Sequence, residues 1–121
     1  MNIELLNNFE NIPDNICFME NIRFFKGEKD NDKNLSQQIA NVFDVYVMDA
    51  FATAHRTAAS TFGAIEFSKN ACAGLLFSDE IKNLESALEE NKQILSIVGG
   101  SKVSTKLEVI KNLITKSSSV V

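Results

Sequence analysis

Proline occurs once and glycine five times in these 121 residues, too few for a linker-rich or disordered chain. Cysteine is equally sparse. Cys17 and Cys72 both lie in apolar surroundings, Ile16-Cys17-Phe18-Met19 and Ala71-Cys72-Ala73, where buried reduced thiols are expected. No basic start followed by an apolar stretch supports a secretory signal that would favour pairing them, and no run approaches membrane-spanning length, so the expectation is a soluble, cytoplasmic protein. One histidine and two separated cysteines make no zinc set. The Walker spacing Gly-x-x-x-x-Gly-Lys-Ser/Thr is absent, and no nucleophile elbow supports Ser-His-Asp chemistry. Twelve basic against sixteen acidic side chains give a net charge of −4. Such a balance repels nucleic acid and anionic membrane, so any anion must be held by a local basic cluster.

What is present is an ordinary globular composition, 45% hydrophobic and 23% charged, in a chain long enough to bury a core without disulfides or metal. Short, continuous, β-branched or aromatic runs occur at residues 16–19, 45–48 and 94–98. They predict strands covered on both faces of a parallel sheet. Between them, Leu35, Ile39, Val42 and Phe43 share one helical face. Ile81, Leu84 and Leu88 do the same behind Ser78, an N-cap candidate, with Asp79 and Glu80 in the first turn. Leu107, Ile110, Leu113 and Ile114 form a third stripe. Strand and helix in alternation predict an α/β fold, a Rossmann-like three-layer αβα fragment with right-handed crossovers. The segment before Pro13 is poorly specified, and Val120-Val121 resembles the opening of one more strand.

Three segments could carry chemistry. Ile97-Val98-Gly99-Gly100-Ser101-Lys102-Val103-Ser104-Thr105-Lys106 runs from a strand through two glycines into a helix. The glycines let backbone amides approach a ligand, and the helix start offers free N–H groups to an anion. Lys102 and Lys106 stand one turn apart where cations oppose the helix dipole by roughly 0.3–1 kcal/mol each, an imbalance a bound phosphate would reverse. An ordinary turn with two solvated lysines fits the same spacing. The second segment, Asp49-Ala50-Phe51-Ala52-Thr53-Ala54-His55-Arg56, follows a strand whose carboxyl end is the usual place for a ligand. Arg56 is suited to a forked grip on phosphate or carboxylate, although a capping histidine beside a surface arginine also fits. The third, Glu20-Asn21-Ile22-Arg23-Phe24, would bring Arg23 to the same rim as Arg56 if the two strands are parallel neighbours. Taken singly, Arg23 reads equally as structural. The mixed-sign run at residues 26–33 reads as a solvated loop.

Together these segments resemble one family. Glu20-Asn21-Ile22-Arg23-Phe24 with Lys26-Gly27-Glu28-Lys29, Asp49-Ala50-Phe51 with Thr53-Ala54-His55-Arg56, Ala71-Cys72-Ala73-Gly74, and residues 98–106 resemble phosphoglycerate kinase of the bacterial type, in that family's order and spacing, from about Ile12 onward. The resemblance implies a two-lobed glycolytic α/β enzyme. Such an enzyme moves a phosphoryl group reversibly between 1,3-bisphosphoglycerate and ADP, giving 3-phosphoglycerate and ATP with magnesium carried by the nucleotide. It implies 3-phosphoglycerate binding by Arg23, His55 and Arg56, nucleotide binding by Gly100, Ser101, Lys102 and Lys106, and stabilisation of the transferring group by Lys102. Positioning and charge, rather than an acid–base pair, carry such chemistry. By the same resemblance residues 1–77 belong to the phosphoglycerate-binding lobe, 78–92 form the helix connecting the lobes, and 93–121 open the nucleotide lobe of a full-length monomer.

The departures are as informative. Ala52 stands where the family usually has glycine; if that position requires φ > 0, alanine costs roughly 1–2 kcal/mol and displaces His55 and Arg56. Leu75 replaces a frequent proline. The family's N-terminal substrate motifs and most of the nucleotide lobe, with its magnesium-holding acid, have no counterpart in these residues. The expectation is therefore a partial phosphoglycerate kinase, inactive by itself. The alternatives are a catalytically inactive remnant and a phosphate-binding interaction module.

Overall fold

The computed structural model describes residues 3–87, 93–100 and 107–121. The chain divides into two compact units, Met1–Ser78 and Asp79–Val121. In the first, chain order gives β1 (Glu4–Leu6), β2 (Cys17–Met19), α1 (Lys33–Val42), β3 (Tyr46–Met48), a π-helical turn at Ala59–Gly63 running into α2 (Ala64–Phe67), and β4 (Ala71–Ala73), followed by the start of α3 (Leu75–Ala87). The second unit contains β5 (Leu95–Ser96), α4 (Leu107–Lys116) and β6 (Ser119–Val120). Among the described residues the strand pairs are parallel: β1 with β2, β3 with β4, β5 with β6. Parallel pairs with helices between them are what the alternating pattern predicts.

Helix α1 forms for reasons visible in its sequence. Asp32 caps it, its Oδ1 accepting the Leu35 amide at 2.9 Å. Leu35 and Ile39, one turn apart, are 5% and 3% exposed, each burial contributing about 1.5–3 kcal/mol. They pack with Ala59 and Ala64 from the π turn and α2, and Phe9, Ile22, Phe25 and Tyr46 close over them. The Phe9 and Phe25 rings meet at 5.2 Å, which gives the segment before Pro13 an anchor that its sequence did not advertise.

Four expectations are corrected. The strands are not covered on both faces: Phe18 is 61% and Val47 55% exposed, while Met48 is buried. Side chains alternate across a strand, and only one face of these meets a helix or turn. Cys17 is half-buried and Cys72 exposed; all three residues of β4 are exposed, so neither of its faces is covered. Ser78 does not cap α3. The helix begins three residues earlier, and the Ser78 amide already bonds the Gly74 carbonyl at 3.0 Å. Its N-terminal donor is met instead by Asp49, whose Oδ1 accepts the Phe77 amide at 2.8 Å. The charged run at residues 26–33 is not simply solvated, since Glu28 within it is 4% exposed. Of the stripe on α3, Leu88 lies outside the described residues.

Candidate functional site

After β2, the Asn21 side chain accepts the Arg23 amide at 3.1 Å and holds a tight 3₁₀ turn at Ile22–Phe24. After β3, a second 3₁₀ turn at Phe51–Thr53 is closed by the Thr53 and Ala54 amides on the Ala50 and Phe51 carbonyls, both at 3.1 Å. Ala52 sits inside this turn. The positive-φ residues other than glycine are Asn11 and Asn31 among the described residues, so Ala52 carries no backbone strain and gives no reason for Arg56 to be displaced.

These turns put Arg23 and Arg56 on the wall of one cavity of about 540 Å3, with Lys29, Thr53, Asp49 and Glu28. Among the described residues β2 and β3 are not paired with each other, so the two arginines reach a common cavity without their strands being hydrogen-bonded neighbours. Arg23, Lys29 and Arg56 form no ion pair among the described residues, where the pair is Lys82 with Asp79. Both acids on the wall are occupied: Asp49 by the α3 amide, Glu28 by Ser60. Three cations without carboxylate partners on a concave wall are suited to a small anion.

Behind Arg56 the backbone is held closely. The Arg56 carbonyl accepts the Thr61 hydroxyl at 2.6 Å. The Ser60 carbonyl accepts the Tyr46 phenol at 2.6 Å. Burial, and then the charge of Glu28, push the Tyr46 phenol above its ordinary range.

His55 is exposed and is not on the wall that carries the two arginines. Gly100 has φ 130, a conformation open to glycine, and a Cβ at Gly99 would meet no atom within 4 Å. Ser101, Lys102 and Lys106 lie outside the described residues. Lys29 and Glu28 were missed as site residues by reasoning from charge pattern, because a run of alternating signs looks solvated throughout. The available signal was their place in Lys26-Gly27-Glu28-Lys29. Among the described residues no group of three or more His, Cys, Asp or Glu is placed to hold a metal ion.

Fold and cavity together describe a parallel α/β protein of Rossmann-like architecture with a basic cleft beyond its strand ends. Comparison with known proteins carries this to the family. The phosphoglycerate kinase profile matches residues 4–121, and the chain belongs to the phosphoglycerate kinase family. It is 57% identical over 102 residues to a phosphoglycerate kinase of Francisella philomiragia, covering 84% of this chain and 26% of that protein. It is 50% identical over 116 residues to the enzyme of Wigglesworthia glossinidia brevipalpis, covering 95% and 29%. The solved phosphoglycerate kinase of Coxiella burnetii superposes with a TM-score of 0.84 at 42% identity, over 98% of this chain and 32% of that one. The Pyrococcus horikoshii OT3 enzyme shares the fold, at a TM-score of 0.77 and 24% identity. The chain thus spans about a quarter to a third of the length of these relatives. No helix among the described residues is long and apolar enough to cross a membrane.

Proposed function

We propose that this chain supplies the phosphoglycerate-binding cleft, and the opening of the nucleotide site, of a cytoplasmic, monomeric phosphoglycerate kinase. The whole enzyme transfers a phosphoryl group reversibly between 1,3-bisphosphoglycerate and ADP, yielding 3-phosphoglycerate and ATP in glycolysis. In this reading residues 1–77 are part of the phosphoglycerate lobe, 78–92 the connecting helix and 93–121 the start of the nucleotide lobe. The observation that carries it is the convergence of Arg23, Lys29 and Arg56, free of carboxylate partners among the described residues, on one cavity of about 540 Å3.

Arg23 and Arg56 grip the carboxylate and phosphate of 3-phosphoglycerate through their planar forks, Lys29 adds a mobile point charge, and His55 joins them from the turn before Arg56. Gly100, Ser101, Lys102 and Lys106 cradle the nucleotide phosphates, and Lys102 offsets the charge that builds on the phosphoryl group in flight. Magnesium, arriving with the nucleotide, neutralises phosphate charge. The described residues contribute orientation and positive potential.

The test is a titration of 3-phosphoglycerate into the protein expressed from its own gene, followed by NMR or calorimetry. Saturable binding is expected, and Arg23→Ala and Arg56→Ala are each expected to weaken it by about 1.5–3 kcal/mol, roughly one to two powers of ten in Kd. Absence of saturable binding, or unchanged affinity in both variants, would sink the reading.

A further inference from the structure

Glu28 stands apart from every other acid among the described residues because it is 4% exposed and forms no ion pair. Burying a carboxylate is costly unless strong hydrogen bonds replace its water. Here a single serine replaces it: the Ser60 amide donates to Oε2 at 3.0 Å and the Ser60 hydroxyl to Oε1 at 2.5 Å. The Glu28 main chain joins in, its carbonyl accepting the Ala59 amide at 2.9 Å. Two segments 32 residues apart in sequence are thereby pinned side by side.

What is pinned is the chain between Arg56 and the π turn. Thr61 holds the Arg56 carbonyl at 2.6 Å and accepts the Ala58 amide at 3.3 Å. The Tyr46 phenol holds the Ser60 carbonyl at 2.6 Å. Residues 56–61 carry Arg56 at one end and the Glu28 clamp near the other, and Lys29 next to Glu28 lines the same cavity. A buried charge is seldom the most stabilising choice, since an apolar side chain of similar volume serves stability as well or better. What the carboxylate adds is a fixed geometry, through two directed bonds that an apolar group lacks.

We propose that Glu28 is a positioning residue for anion binding, acting through Ser60 to hold the 56–61 segment so that Arg56 faces the ligand. This inference rests on the reading of the cavity as the 3-phosphoglycerate site. It predicts an effect opposite in sign to simple electrostatics. A negative charge on the wall opposes an anionic ligand, so neutralising it without moving anything would tighten binding. As a positioning residue, Glu28 strengthens binding, and its neutralisation weakens it.

The experiment is a double-mutant cycle on the protein expressed from its own gene, with Kd for 3-phosphoglycerate read by NMR titration into the millimolar range. Glu28→Gln retains shape but puts an amide NH2 against one of the Ser60 donors, and it is expected to weaken binding about 10- to 100-fold. In an Arg56→Ala background the same change is expected to alter Kd by about twofold or less, because the arginine it positions is gone. If Glu28→Gln does not melt cooperatively, Ser60→Ala, which removes only the hydroxyl bond, carries the same cycle. Unchanged or tighter binding in the variant, or an equal loss in both backgrounds, overturns the clamp while leaving the cavity reading intact. If the unmodified protein binds no 3-phosphoglycerate, the cavity reading fails and the clamp falls with it.

Discussion

Tyr46 donates its phenol to the Ser60 carbonyl at 2.6 Å, beside the carboxylate that the same serine holds. Ionising Tyr46 would abolish that bond and place a phenolate near Glu28, so burial first and the neighbouring charge second raise its pKa above the ordinary 10.0. A folded-state pKa above the unfolded one means that the folded protein retains the proton longer. The stabilisation is complete below pH 10.0 and is lost as pH rises through the folded value. Denaturation midpoints from pH 8 to 11 are therefore expected to fall at the alkaline end, and to fall less in Tyr46→Phe, which has no proton to lose there. Equal slopes in the two proteins would exclude Tyr46 as the source. None of this was legible in residues 45–48, where Tyr46 reads only as an aromatic in a strand. The partners that give it a role come from residues 28 and 60, and no local pattern connects them.

Elements differ in how much of their cause is local. Helix α1 carries its own instructions, a capping aspartate and apolar residues one turn apart. Leu35 and Ile39 of the predicted face are buried, but Ser36 and Ala40 join them in place of Val42, which is half-buried, and Phe43, which follows the helix end and is 45% exposed. Where it crosses the π turn, however, the fit depends on a missing side chain. A Cβ on Gly63 would fall 2.7 Å from Ser36 Cβ and closer still to Ser36 Oγ and Asn31 Oδ1. Gly63→Ala is therefore expected to destabilise the fold by about 1–3 kcal/mol, measured as a lowered urea midpoint with unchanged slope. The start of α3 depends on distant residues altogether. Asp49 caps it from 28 residues away, and the Phe51 and Phe77 rings meet edge-on at 5.4 Å. Gly74 leaves the room, since a Cβ there would overlap the Asp49 side chain. Local capping rules pointed to Ser78, because a cap supplied across the fold leaves no mark beside the helix. Strand β4 was illegible for a related reason. Ala71-Cys72-Ala73 has little strand preference of its own and is a strand because Tyr46, Val47 and Met48 lie opposite it.

At the scale of the whole molecule, much apolar surface faces water: Leu75 is 85%, Ile97 77% and Phe24 76% exposed. Among the described residues each sheet has two strands, which leaves strand edges open. Such surfaces favour association. The 121-residue polypeptide, purified by itself, is expected to bind a hydrophobic dye and to sediment as aggregates or oligomers, with phosphoglycerate kinase turnover far below the roughly 1–100 per second of ordinary kinases. A dye-silent monomer with turnover in that range would contradict this. The family was readable at this scale because several motifs occur in order, each weak alone. The cavity they build was only partly readable: Arg23 and Arg56 were anticipated at one rim, Lys29 was hidden in a charged run, and His55 stands off the shared wall.

The sequence by itself determined the alternation of strand and helix, the parallel α/β class, the burial of Leu35 and Ile39 on α1 and the family, because each is written in periodicity or in a contiguous motif. Only the tertiary structure decided which cations share a cavity, that Glu28 is a buried clamp and not a solvated charge, that Asp49 caps α3, and that Ala52 is unstrained. Those outcomes depend on contacts between residues tens of positions apart, and on backbone angles set by packing. Local composition constrains neither.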